Sequence, residues 1–275
     1  MKIAVHQMCS GICPTGNVEK MADAIYQAAA QGANMYFAPE MSVLLDRNRT
    51  RAAANIDFES DSLALIQLTE AARKCGIWVH IGSMPVQDGQ GGKYANRSII
   101  IDSEGKIRAR YDKMHLFDVD LSTGETWRES NAYNAGSGPV AVNCPLGLLG
   151  LTICYDIRFP DLFAAYARSA VDVLALPAAF TVPTGAAHWH VLLRARAIEC
   201  QAFVIAAAQS GLHEDGRQTY GHSLVIDPWG EVLLDMEDGE GIGYATLDLS
   251  HIAEARRQIP VQSNRREITM PVQIC

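Results

Sequence analysis

RKCGIWVHIGS (Arg73–Ser83) and IECQAFVIAAAQS (Ile198–Ser210) read as two versions of one pattern: a cysteine, a break, then a short apolar β-run. IIIDSEGKI, with Asp102, and LVIDPWGEV, with Asp227, form a second such pair, and 200 − 75 and 227 − 102 both give 125. Earlier in the chain, ANMYFAP ending at Pro39 matches VDVLALP ending at Pro177, an offset of 177 − 39 = 138. The chain is therefore a duplicated unit, with a length difference between the second strand and second helix. Both Asp-x-x-Gly segments predict hairpins in which Gly105 and Gly230 supply the positive φ. Hairpins force antiparallel pairing, which excludes a purely parallel sheet.

Each half alternates β and amphipathic α patterns. In the first, Lys2–Gln7 predicts a strand, and Asn17–Gln31 a helix with Val18, Met21, Ile25 and Ala29 on one face. Met35–Ala38 reads as a strand, and Ser60–Lys74 as a helix with Leu63, Leu65, Ile66, Leu68 and Ala72 as its apolar positions; strands follow at Trp78–Ser83 and Ser98–Asp102. The second half gives strands at Leu149–Ile153 and Val173–Leu176, helices at Asp161–Ala170 and His188–Cys200, and strands at Phe203–Ala208 and Ser223–Asp227. Two mixed sheets packed face to face, each covered outside by two helices, bury both faces of each sheet. The expected fold is α/β, a four-layer αββα sandwich formed by one domain over residues 1–275, with a tail from about residue 260. Asp88–Lys93 (DGQGGK) reads as a polar surface loop.

The 275 residues are 48% hydrophobic and 20% charged, enough apolar material for a sizeable core. A net charge of −8, without a basic tail or Lys/Arg cluster, argues against nucleic acid and anionic membranes as partners. Seven cysteines, an odd number, do not form a disulfide framework. No apolar stretch approaches the length of a membrane span, and MKIAVHQMCSG is no signal peptide, so a cytoplasmic protein is expected.

Cys154 ends the strand GLTIC and precedes a turn into a helix opened by Pro160–Asp161. A thiol there stands near helix N–H groups that favour thiolate. The charged turn Tyr155–Arg158 separates it from Cys75, Cys144 and Cys200, which read as small apolar core residues. Glu40 follows Ala38–Pro39 at another strand end, expected at the same edge of the sandwich as Cys154. Lys113 (in RARYDKMHLFD) and Glu129 (in TWRES) do not stand out by themselves.

Together, FAPE (Phe37–Glu40), YDKMHLFD (Tyr111–Asp118), WRES (Trp127–Ser130) and LTICYDIRFP (Leu151–Pro160) resemble the nitrilase superfamily of carbon–nitrogen hydrolases, in order and in spacing. PAAFTVPTGAAHW (Pro177–Trp189) and the stretch from Leu192 to Gly230 look most like its deaminated-glutathione-amidase branch, close to the ω-amidases. The resemblance implies the αββα sandwich, a homodimer or higher homo-oligomer, and hydrolysis of a carboxamide with ammonia release through a thioester. It implies Cys154 as nucleophile, Glu40 as general base, Lys113 and the Tyr155 N–H as oxyanion stabilisers, and Glu129 as second carboxylate. The thiolate of Cys154 is the strongest nucleophile a protein offers an unactivated amide near neutral pH. Arg158 would bind the carboxylate of an α-keto acid, with Phe180 and Thr184 completing the pocket; the other reading of Arg158 is a turn cap on Asp156 or Asp161. One departure is His190, where the family usually carries Glu; it is expected near the site, at the opening of the helix His188–Cys200.

Other readings are weaker. A Cys–His hydrolase could use His115, His188 or His222, but no spacing singles one out. Zinc could be drawn to Cys9, Cys13 and the histidines, though C-x₃-C without a second cluster is a weak signal. A non-enzymatic interaction module would not need all four motif residues. No P-loop or G-x-G-x-x-G segment supports a nucleotide, so no cofactor and no metal are expected. Nitrile hydrolysis by the same thiol is the runner-up, with HLFD (His115–Asp118) and FTVPTG (Phe180–Gly185) favouring an amide.

Overall fold

The computed structural model describes residues 1–89, 92–120, 124 and 126–268. Part of the glycine-dense loop (residues 90 and 91) and the last seven residues, Cys275 among them, lie outside the described residues. The first half runs β1 (Lys2–Gln7), α1 (Pro14–Ala30), β2 (Met35–Phe37), α2 (Arg49–Ala53), α3 (Leu63–Cys75), β3 (Trp78–His80), β4 (Met84–Gln87), β5 (Tyr94–Ile101) and β6 (Ile107–Asp112). The small pair β7 (Asp118–Asp120) and β8 (Thr126–Arg128) follows. The second half runs β9 (Val140–Cys144), β10 (Gly147–Leu151), α4 (Pro160–Arg168), β11 (Val173–Ala175), α5 (Val182–Cys200) and β12 (Phe203–Ala206). It continues with β13 (Ser210–Leu212), β14 (Gln218–Tyr220), β15 (Leu224–Ile226), β16 (Val232–Asp235), β17 (Gly241–Thr246) and α6 (Ser250–Gln258).

The duplication is real in three dimensions. In the first sheet β1, β2 and β3 are parallel, and β5 and β6 follow antiparallel. In the second, β10, β11 and β12 are parallel, and β15 and β16 follow antiparallel. Even the irregularities repeat: the register shifts at Ile100/Ile101 and at Val225/Ile226, again 225 − 100 = 125 apart. Gly105 and Gly230 turn the two hairpins with φ of 80° and 88°.

Alternation along the strands builds the layers. Ile3, Val5, Met35, Phe37 and Tyr111 face the second sheet and pack with Leu149, Leu151 and Val173. Ala4, Tyr36, Val79, Ile99 and Ile101 point the other way, onto Val18, Met21 and Ile25 of α1 and Leu65 and Leu68 of α3. On the far side α4 contributes Leu162, Phe163 and Tyr166, and α5 contributes Trp189, Leu193 and Ala197. The result is the four-layer αββα sandwich.

Three helices start elsewhere than the pattern predicts, α1 at Pro14 rather than Asn17. α3 begins at Leu63 because the Ser62 side chain accepts from Leu65 N and caps it. Leu63 and Ile66, counted among its apolar positions, are 70% and 59% exposed. α5 begins at Val182, with Pro183 in its first turn, so His190 lies in the body of the helix rather than at its opening. α3 ends on Gly76 in the left-handed region, whereas the matching residue of the second half is Gln201 at φ 52°. Its side chain donates to Ala255 O and Ile259 O, so the strained cap docks the end of α6. Residues 260–268 carry turns but neither helix nor strand.

Candidate active site

Three chain segments arrive at one sheet edge through local devices. Glu40 follows β2 in a turn whose next residue, Met41, has φ 54°. That turn fits only because Gly82 has no side chain; a Cβ there would lie 1.9 Å from Pro39 O. Lys113 is the first residue after β6. Cys154 opens a 3₁₀ segment (Cys154–Arg158) after β10, at φ 49°, a left-handed conformation that costs a non-glycine residue of order 1–3 kcal/mol.

Asp156 secures that conformation. Fully buried, it accepts from Ile153 N (2.8 Å) and the Tyr111 hydroxyl (2.7 Å) on Oδ2, and from His115 N (3.1 Å) and His115 Nδ1 (2.7 Å) on Oδ1. The thiol-bearing turn is thereby tied to residues on both sides of Lys113.

Lys113 Nζ, on a side chain only 2% exposed, donates to Glu40 Oε1 at 2.8 Å and to both Glu129 oxygens at 3.1 and 2.9 Å. Glu40 Oε2 accepts from Ala179 N at 2.9 Å, and its carboxylate stands beside the Cys154 thiol. Glu129 Oε2 accepts from Phe117 N at 2.7 Å. Asn96 Nδ2 bridges the two carboxylates, 3.0 Å from Glu40 Oε1 and 3.2 Å from Glu129 Oε1.

Burial alone would raise Glu40, but the Lys113 ammonium and the hydrogen bonds from Lys113, Cys154 and Asn96 hold it below the usual carboxylate range. For Lys113 burial acts downward, and the charges of Glu129 and Glu40 overcome it, so its pKa stands well above the ordinary lysine value. Burial and the Glu40 charge push the Cys154 thiol well above its ordinary value, with Lys113 offsetting only part. The resting pair is thus a neutral thiol on a carboxylate. This corrects the expectation of a thiolate favoured by helix N–H groups: full desolvation and an adjacent anion outweigh them.

The arrangement can remove a proton from sulfur and place an ammonium beside the reacting centre. A family model described as carbon–nitrogen hydrolase matches residues 2–257. The chain belongs to the carbon–nitrogen hydrolase family. This hydrolase is 40% identical over 268 residues to the deaminated glutathione amidase of Bos taurus, covering 96% of this chain and 81% of that protein. It is 35% identical over 269 residues to the deaminated glutathione amidase of Yersinia enterocolitica, covering 97% and 93%. The crystal structure of the C. elegans NitFhit protein superposes with a TM-score of 0.88 at 38% identity, over 96% of this chain and 65% of that one.

The cavity of this hydrolase measures about 810 Å³, and Glu40, Lys113, Glu129, Cys154, Tyr155, Phe180 and Thr184 all line it. Arg158 does not. Its guanidinium lies over the Phe180 ring, 5.5 Å from the centroid, with both Nη atoms 3.3 Å from His188 Nδ1, so ring stacking holds it behind the wall. It caps neither Asp156 nor Asp161. His190 is absent from the lining too, two turns along α5 and hydrogen-bonded to Asp235. Among the histidines weighed as partners of the thiol, His115 engages Asp156, His188 faces Arg158 and His222 pairs with Asp235. The titratable group beside Cys154 is therefore a carboxylate, that of Glu40.

Sequence reading missed three features. Asn96 carried a faint signal, a strand-disfavoured residue inside YANRSIII. Asp156 was visible only as a turn charge. The third is basic: Arg47, Arg49, Arg51, Arg128 and Arg217 line the cavity, although no cluster of basic residues was read from the segment DRNRTR. Arg51 pairs with Asp46, Arg128 with Asp120 and Arg217 with Asp215, while Arg47 forms no ion pair among the described residues.

Proposed function

We propose that this carbon–nitrogen hydrolase cleaves a carboxamide through Cys154, and that its substrate is deaminated glutathione or a related α-keto-acid ω-amide. The observation that carries the reading is Lys113 Nζ, 2.8 Å from Glu40 Oε1 and 2.9 Å from Glu129 Oε2, in one cavity with Cys154. As Cys154 Sγ bonds to the amide carbon, its proton passes to Glu40. The carbonyl oxygen takes up the negative charge beside Lys113 and the N–H of Tyr155, which lies in the first turn of the 3₁₀ segment, where a peptide N–H has no intrahelical partner. Collapse breaks the C–N bond, Glu40 returns the proton to the departing nitrogen, and a thioester remains. Water, deprotonated by Glu40, then attacks that thioester, and the proton goes back to sulfur. Glu129 holds Lys113 throughout.

A primary ω-amide releases ammonia. In deaminated glutathione the amide nitrogen belongs to cysteinylglycine, so the dipeptide leaves instead, carrying its own carboxylate. The cavity of about 810 Å³, with five arginines in its lining, supports that larger substrate: Arg47, without an ion-pair partner among the described residues, and Arg217 meet the leaving carboxylate. The α-keto carboxylate is assigned to Arg158, whose guanidinium lies 5.5 Å from the centre of the Phe180 ring in the cavity wall.

The names of the bovine and Yersinia relatives support an amide substrate over a nitrile. Mass spectrometry of enzyme quenched during turnover tests the core of the reading: an acyl adduct on Cys154 is expected with the amide. Turnover by Cys154→Ala would refute it. Sedimentation checks the homo-oligomer that belongs to the same proposal. No helix among the described residues is long and apolar enough to cross a membrane.

A further inference from the structure

We propose that His190, His222 and Asp235 form a binding site for a divalent transition-metal ion of the zinc type, outside the catalytic cavity. The three residues come from α5, from the connection between β14 and β15, and from the last position of β16. Their ligand atoms all lie within 4.8 Å of one another. His190 Nε2 is 3.0 Å from Asp235 Oδ2, and His222 Nδ1 is 2.9 Å from Asp235 Oδ1.

Two imidazoles and one carboxylate form a donor set suited to zinc, cobalt or nickel and poorly suited to magnesium. Tetrahedral bonds of about 2.0–2.1 Å separate ligand atoms by about 3.4 Å, so the two imidazole–carboxylate separations are already near coordination distance. The site is also held in place. The Tyr220 ring stacks on His222 at 4.5 Å, Asp235 Oδ1 accepts from Glu237 N at 2.9 Å, and His222 N donates to Glu237 O at 2.8 Å. Such outer contacts fix ring orientation around a metal.

Side-chain exposures of 35%, 22% and 29% for His190, His222 and Asp235 leave the fourth position to water. Without an ion, the two ring N–H groups donate to the one carboxylate. On binding, each imidazole carries its proton on the other nitrogen and the metal takes the vacated lone pair, so no proton need be released. The ion then joins α5 to the β15–β16 hairpin. None of the three ligands lines the catalytic cavity, which makes the role of the metal structural rather than chemical.

The test loads chelator-stripped protein with zinc chloride, desalts it, and measures bound metal and unfolding temperature, beside His190→Ala and Asp235→Asn. Alanine is favourable within a helix and His190 is partly exposed, so that variant keeps its fold. The parent should retain one zinc equivalent more than either variant. Zinc should raise its unfolding temperature, a rise that both variants lose. Cobalt in place of zinc should show visible bands of nitrogen–oxygen coordination without thiolate charge transfer. Equal zinc in all three proteins overturns the site. So does a thiolate band that persists in His190→Ala, which would put the metal on a cysteine such as Cys9, 3.6 Å from His213 Nδ1.

Discussion

The Tyr111 hydroxyl donates to Asp156 Oδ2 at 2.7 Å, joining the strand that delivers Lys113 to the turn that delivers Cys154. Burial and the Asp156 charge push Tyr111 well above the usual tyrosine range, so its hydroxyl remains a donor at any working pH. The distance between ammonium and sulfur is therefore set by a buried carboxylate that touches neither substrate nor thiol.

Asp156→Asn should loosen this joint. An amide cannot accept from all four donors, and a buried hydrogen bond to a charged group contributes about 1.5–3 kcal/mol. Urea unfolding should show a loss of about 3 kcal/mol, with a fall in kcat in the fraction that remains folded. An unchanged midpoint would show that the Asp156 contacts are incidental.

Cys154→Ala should abolish amide hydrolysis and leave a folded protein. Cys200→Ala, by contrast, should lower stability while the chemical step survives, since Cys200 is buried with Sγ 3.4 Å from Phe163 O. Turnover by Cys154→Ala above a tenth of the parent rate would remove sulfur from the mechanism.

Asn96→Leu removes the donor shared by Glu40 and Glu129. At about 1.5–3 kcal/mol for hydrogen bonds to charged groups, kcat should drop about 10- to 150-fold with KM little changed. Asn96→Asp adds a negative charge instead, which should raise Glu40 and move the acid limb of the pH–rate profile toward neutrality. A limb that stays in place would mean Asn96 only packs.

The pH dependence has a fixed sign. Glu40 is depressed in the folded state, so its contribution to stability is present above its unfolded value of about 4.5 and is lost as pH falls through the folded pKa. Lys113 is raised, so its contribution is complete below about 10.5 and is lost as pH rises through the folded pKa. Lys113→Met should cost about 10²–10³ in rate. With the ammonium gone, burial dominates Glu40, and the residual activity should fail at a higher pH than in the parent. Coincident acid limbs in parent and variant would contradict the coupling.

Selectivity separates the arginines. Arg47→Gln should lose about 10- to 150-fold in kcat/KM on deaminated glutathione, and little on a primary α-keto-acid ω-amide, whose leaving group has no carboxylate. Arg158→Met should lose comparably on both and leave a short neutral amide at nearly the parent rate. Equal losses by Arg158→Met on acidic and neutral amides would make Arg158 a support for Phe180 alone.

The duplicated halves, the two glycine hairpins and the segments holding Glu40, Lys113, Glu129 and Cys154 could all be read from the chain. Strand alternation, turn chemistry and motif order are local properties that survive without coordinates. Helix starts were less legible, because Ser62 marks an end that apolar periodicity overruns and Pro183 one that it falls short of. Only the tertiary structure decided that Cys154 rests as a neutral thiol, that Asn96 bridges two carboxylates, and that Asp156 joins the lysine to the cysteine. It also moved Arg158 behind Phe180 and set His190 beside His222 and Asp235. Each of these depends on burial or on groups far apart in sequence. Desolvation and charge act through space, and one sequence carries no distances.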